Sequence, residues 1–142
     1  MMWSFRIAFV YFLLSFPSLA GSEIESFNAN LVLKPNRISV SAQIKVADVI
    51  LLKERGFRAI INNRPDGEEP WQPMGLEIRN QAEALGLQYF YIPVSPSGIT
   101  PENINDFLAA LRETSGPVLA YCRSGARSER LKVALQIDLN RL

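Results

Sequence analysis

The segment Cys122-Arg123-Ser124-Gly125-Ala126-Arg127-Ser128 gathers the chain's single cysteine, two arginines, two serines and a glycine into seven consecutive residues. The chain contains no histidine. A Ser-His-Asp triad, a Cys-His pair and a Cys/His zinc site are therefore all excluded, and a nucleophile here must be activated by backbone dipoles and cations. A loop that leaves a strand and enters a helix can turn several N–H groups inward, and the helix adds its positive end at the same point. Such a cradle binds a tetrahedral anion and favours the thiolate of Cys122, the more so with Arg123 and Arg127 nearby. Gly125 permits a tight backbone path, Ala126 keeps the loop small, and the Ser124 and Ser128 hydroxyls can bond the sulfur or cap the helix. The competing view makes Cys122 a small buried hydrophobe between surface arginines. It leaves the concentration of these residues at the end of an apolar strand unexplained.

A second stretch with chemical content is 63–74, irregular in pattern and punctuated by Pro65, Asp66-Gly67, Pro70 and Pro73. Arg64 is either a ligand for a substrate anion or an ordinary surface arginine. Asp66, Glu68 or Glu69 could supply a proton, against the plainer expectation of a solvated Asp-Gly turn. Trp71 either lids the pocket or packs on the core.

The elements that must position these residues follow from periodicity and punctuation. Leu31-Val32-Leu33 and Ile38-Ser39-Val40-Ser41 flank a turn-forming cluster and predict an opening strand or hairpin. A helix is expected over 44–55, ended by Gly56, then a buried strand over 58–62. A second helix over 75–85 stops at Gly86, and a strand follows at 89–92. Thr100-Pro101-Glu102 starts a helix whose Ile104, Phe107, Leu108 and Leu111 form one core-facing stripe. Gly116-Pro117 precedes the strand 118–121, and Leu131, Ala134, Leu135 and Leu139 predict a helix beyond the loop. This alternation specifies an α/β fold with a mostly parallel central sheet flanked by helices on both faces. Ligands bind such sheets at the carboxyl ends of their strands, where both the Cys122 loop and 63–74 belong.

The 142 residues are 48% hydrophobic and 20% charged, which fits one globular domain. Fifteen Lys and Arg against fourteen Asp and Glu, without long runs of one sign, argue against nucleic acid as a partner. Residues 1–20 read as a signal peptide: Arg6 is followed by an apolar run, Pro17 and the small-residue ending Ser18-Leu19-Ala20. Residues 21–30 are then a linker and 31–142 the catalytic domain. The expected location is the periplasm, with or without an N-terminal anchor, or the cytoplasm if the start is displaced.

Four motifs in order carry a resemblance: Asn62-Asn63-Arg64-Pro65-Asp66-Gly67-Glu68, Ile92-Pro93-Val94, Gly98-Ile99-Thr100-Pro101 and Tyr121 to Ser128. Together they resemble the phosphatase-like domain family of beta-lactamase hydrolase-like proteins, over roughly 38–128. The resemblance implies a tyrosine-phosphatase-like fold and a catalytic cysteine at Cys122. Two departures matter. Tyrosine-phosphatase loops place five residues between Cys and the anion-binding Arg, whereas Cys122 and Arg127 are separated by four, the spacing of rhodanese sulfurtransferases. The upstream aspartic acid that protonates the leaving group in phosphatases is replaced by Ser95-Pro96-Ser97-Gly98. These departures put sulfur transfer through a Cys122 persulfide first, phosphomonoester hydrolysis through a phosphocysteine second, and a non-catalytic anion-binding or redox-sensing module third. Cys122 and Arg127 are the expected catalytic residues. Arg123, Ser124, Gly125, Ala126, Ser128, Arg64 and Asp66 are expected to bind substrate, a small anion or thiol acceptor, with no metal or cofactor.

Overall fold

A computed structural model describes residues 37–139. The expected leader, the linker and the strand expected at Leu31-Val32-Leu33 lie outside the described residues.

Four short strands, β1 (Ile38–Ser41), β2 (Ala59–Asn62), β3 (Gln88–Tyr91) and β4 (Val118–Tyr121), form one sheet in the order β1-β4-β2-β3. All three pairings are parallel, with Asn62 level with both Tyr121 and Tyr91. Four helices alternate with the strands: α1 (Asp48–Glu54), α2 (Gly75–Ala84), α3 (Pro101–Glu113) and α4 (Ala126–Leu139). The two central strands are buried at every residue, as continuous apolar runs require when both faces are covered. Their side chains alternate. Ala59, Ile61, Val118 and Ala120 pack with Phe107, Leu111, Leu131 and Leu135 of α3 and α4. Ile60, Leu119 and Tyr121 face Val49, Leu52, Ile78 and Ala82 of α1 and α2. Burying each large aliphatic side chain contributes about 1.5–3 kcal/mol, so either helix pair is held mainly by its stripe.

The α3 start forms as its sequence dictates: Asn103 N–H donates to Thr100 Oγ1 at 3.3 Å, and Thr100 N–H donates back to Asn103 Oδ1 at 3.1 Å. Phe107 and Leu111 are buried while Ile104 and Leu108 pack at the cluster's margin. One expectation needs correction. The first helix begins at Asp48, not at Ile44, because Lys45 N–H is drawn into a turn by the Asp48 carboxylate at 2.8 Å. The segment 38–41 forms the strand expected there, and among the described residues it pairs only with β4, in parallel. Among the described residues no helix is long and apolar enough to cross a membrane.

Candidate active site

β4 lies between β1 and β2, and Cys122 is the first residue past its carboxyl end. Three backbone bonds pin the chain there: Cys122 N–H to Ser41 O at 3.4 Å, Gln43 N–H to Arg123 O at 3.2 Å, and Asn63 N–H to Tyr121 O at 2.8 Å. The loop then turns directly into α4, which starts at Ala126. Gly125 makes the turn at φ +92°, where a Cβ would stand 3.2 Å from Ser41 O. No other residue fits that path without strain.

This turn aims amides at the sulfur. Gly125 N–H donates to Cys122 Sγ at 3.1 Å. Burial pushes the thiol up, but the backbone N–H groups of Ser128, Arg127, Ser124 and Gly125 together outweigh it and hold Cys122 below the ordinary thiol value. The serine hydroxyls have other partners. Ser124 Oγ accepts a long bond from Ala126 N–H at 3.4 Å, and the buried Ser128 hydroxyl bonds Asn63 Oδ1 at 2.8 Å. Asn63 is itself fixed through Nδ2 to Ile92 O at 3.0 Å. Tyr121, the residue before the nucleophile, is buried against α1 and α2.

Arg127 is clamped from across the site. Its Nη1 donates to Glu68 Oε1 at 2.6 Å and to Val94 O at 2.8 Å, and Nη2 donates to Glu68 Oε2 at 3.0 Å. Three of the five guanidinium N–H donors are thereby used, and the rest of the group stands beside the Cys122 sulfur. The Arg127 bonds, joined by Arg64, hold the Glu68 carboxyl below its usual range despite the opposing effect of burial. Arg64 is neither of the two things its position in the sequence allowed. Its side chain is 3% exposed, with Nε on Glu68 at 3.0 Å and Nη2 on Glu69 at 2.7 Å. Its Nη1 reaches Gln43 Oε1 at 2.9 Å, so it is an internal strut. Arg123 differs: its side chain is 65% exposed and meets Glu69 Oε1 at 2.7 Å.

The structure therefore places Cys122, Arg123, Ser124 and Gly125 in the loop and Ala126, Arg127 and Ser128 in the first turn of α4, with Arg64 behind them. Asp66 stands apart: its Oδ1 accepts from Gly75 N–H at 2.8 Å, at the amino end of α2, and its own N–H donates to Tyr91 Oη at 3.0 Å. Trp71 is 80% exposed and does not pack on the core. Sequence reasoning weighed Glu68 only as an acid and passed over Gln43, Asn63 and the Val94 carbonyl. Glu68 meets Arg127 across 59 positions, and only the carboxylate pair beside Arg64 hinted at a counter-charge for the loop. Among the described residues no group of three His, Cys, Asp or Glu could hold a metal ion.

Residues 30–138 match the model of a family described as "Beta-lactamase hydrolase-like protein, phosphatase-like domain". A beta-lactamase hydrolase-like protein of Agrobacterium fabrum is 42% identical over 97 residues, 68% of this chain and 22% of that protein, so the chain spans about a fifth of this curated relative. The solved structure of a candidate phosphatase from Neisseria meningitidis Z2491 superposes with a TM-score of 0.60 at 35% identity, over 66% of this chain and 67% of that one. The core catalytic domain of the PP-IP phosphatase SIW14 from S. cerevisiae, solved with citrate, shares the fold at TM-score 0.58 and 20% identity, over 73% of this chain and 62% of that one. With a phosphatase-like α/β fold and the family match covering most of its length, the chain belongs to the phosphatase-like domain family of beta-lactamase hydrolase-like proteins.

Proposed function

We propose that this chain is a cysteine-dependent phosphohydrolase. The observation that carries the reading is the buried Cys122 sulfur at the mouth of the loop, which takes the Gly125 N–H at 3.1 Å and is held below the ordinary thiol value by the surrounding backbone amides, with Arg127 fixed beside it. A thiolate held this way attacks phosphorus, the amides of the loop take the non-bridging oxygens, and the Arg127 N–H donors not bound to Glu68 or Val94 clamp the same group as its charge redistributes. Water then hydrolyses the phosphocysteine. Glu68 keeps Arg127 in register and is an ionised partner, not a proton donor. Family membership favours this chemistry over the sulfur transfer that the sequence placed first.

Sulfur transfer keeps one observation in its favour, the four-residue interval between Cys122 and Arg127. One experiment separates the two. Protein incubated with p-nitrophenyl phosphate should release phosphate, and Cys122→Ser should abolish the release. Protein treated with thiosulfate should gain no sulfur on Cys122 by intact mass. A stable persulfide with no phosphate release would reverse the order.

Residues 1–20 are part of the same proposal as an export signal. Intact mass of the protein from its native host should begin at Gly21, and a cytosolic form retaining Met1 would contradict export.

A further inference from the structure

When a cysteine displaces a phosphoester, the leaving oxygen departs with the electron pair of its bond to phosphorus, and an alkoxide departs poorly unless a proton reaches it. The carboxylates around this site are committed elsewhere. Glu68 gives Oε1 to Arg127 and Oε2 to both Arg127 and Arg64. Glu69 gives Oε2 to Arg64 and Oε1 to Arg123. Asp66 is bound to the amino end of α2. The turn at 95–98, in the place where the sequence lacks an aspartic acid, presents only Ser95 and Ser97, whose hydroxyls bond each other at 2.7 Å.

The loop does offer an accessible cation. Arg64 and Arg127 are 3% and 11% exposed and held by several partners each, but Arg123, the residue after the nucleophile, is 65% exposed and is held through a single ion pair. A loop with a spare guanidinium and no free carboxylic acid suits a leaving group that is already an acceptable anion and carries charge for that guanidinium to meet.

We propose that the site hydrolyses phosphoric anhydrides and that Arg123 receives the leaving phosphate. This rests on the phosphohydrolase reading above and names its substrate class. The Cys122 thiolate attacks the terminal phosphorus, forming the S–P bond as the bond from that phosphorus to the bridging oxygen breaks. The electron pair of the broken bond stays on the bridging oxygen, which leaves as part of an inorganic or organic phosphate and needs no proton to depart. Water next attacks the phosphocysteine, the P–S bond breaks, the thiolate is restored and the proton of the water passes to phosphate or solvent. Arg123 exchanges Glu69 for the departing phosphate, and Glu69 stays paired with Arg64. Negative charge grows on the leaving oxygen as the bond breaks, so this contact is stronger in the transition state than in the ground state.

The test compares inorganic pyrophosphate, p-nitrophenyl phosphate and glycerol phosphate, assayed with EDTA on the wild-type protein and on Arg123→Ala and Arg123→Gln. Pyrophosphate should be hydrolysed with a kcat/KM about 10²-fold or more above that of glycerol phosphate, the penalty an alkoxide leaving group suffers without its acid. Both Arg123 variants should lose at least about 10-fold more on pyrophosphate than on p-nitrophenyl phosphate, because only the former's leaving group has non-bridging phosphate oxygens, charged before the bond breaks, for a guanidinium to grip. Cys122-dependent hydrolysis of p-nitrophenyl phosphate with pyrophosphate no better than glycerol phosphate, or equal losses on both substrates in the variants, would overturn the inference and leave the phosphohydrolase reading standing. No Cys122-dependent phosphate release from any of the three would remove both.

Discussion

The Cys122 loop prepares for its anion with backbone N–H groups, whereas the 63–74 loop facing it works through carboxylate side chains that hold arginines. In the first, Gly125 at φ +92° and the start of α4 turn four amides onto one sulfur. In the second, Glu68 and Glu69 bind Arg64, Arg123 and Arg127 with five nitrogen–oxygen contacts of 3.0 Å or less. The backbone device cannot be exchanged residue by residue, since its donors belong to the path of the chain. The side-chain device can be tuned, and its outermost member, Arg123, is the one left exposed. The nucleophile's reactivity thus lives in one loop, and the placement of the cations lives in the other.

Substitutions sharpen the contrast. Cys122→Ser has the largest expected effect, a loss of phosphate release by about 10³-fold or more, since the less acidic hydroxyl has neither a histidine nor another base to activate it. Glu68→Ala comes next. It strips Arg127 of its bidentate partner and leaves the buried Arg64 with one carboxylate, so unfolding free energy should fall by about 3–5 kcal/mol and kcat/KM by about 10²-fold. Glu68→Gln, which keeps an acceptor, should be milder on both counts in denaturant titration and turnover. Gly125→Ala forces a Cβ toward Ser41 O at a positive φ and should cost about 1–3 kcal/mol, and it should slow Cys122 as its amide turns away from the sulfur. An effect of Gly125→Ala on stability without any on Cys122 reactivity would break the assignment of reactivity to the backbone. Trp71→Ala, at 80% exposure, should change stability by no more than about 0.5 kcal/mol.

The same division appears in the pH dependence. Glu68 has a folded value below its ordinary one, so its contribution to stability is complete above the unfolded carboxylate value of about 4.3 and is lost as pH falls through the lower folded value. Acid unfolding should therefore shift toward neutrality in Glu68→Gln, as followed by circular dichroism.

What was legible in the sequence follows from distance along the chain. The α3 cap and stripe, β4 and the anion loop are contiguous, and their residue types state their geometry directly. The helix expected from 44 starts later because Ile44 and Val46 continue an apolar pattern although 44–47 is not helical and turns at 46–47; both pack against the core. The carboxylate device was hidden for a different reason. Arg127 meets Glu68 across 59 positions and Arg64 meets Gln43 across 21, and no local pattern of charges distinguishes such a pair from a solvated turn. Asp66 in an Asp-Gly turn reads most plainly as a solvated turn residue and less plainly as a proton donor, and it is the start of α2, nine residues on, that gives its side chain a partner.

The central claim is that the backbone of this loop holds Cys122 as a thiolate. Because the chain has a single cysteine, the ultraviolet absorbance of wild type minus Cys122→Ser, followed from acid to alkaline pH, reads that one group directly. The account predicts a midpoint below the free-thiol value of about 8.5, moving upward when Arg127 is replaced by Ala. A midpoint at or above that of a free thiol, with no response to Arg127→Ala, would contradict it.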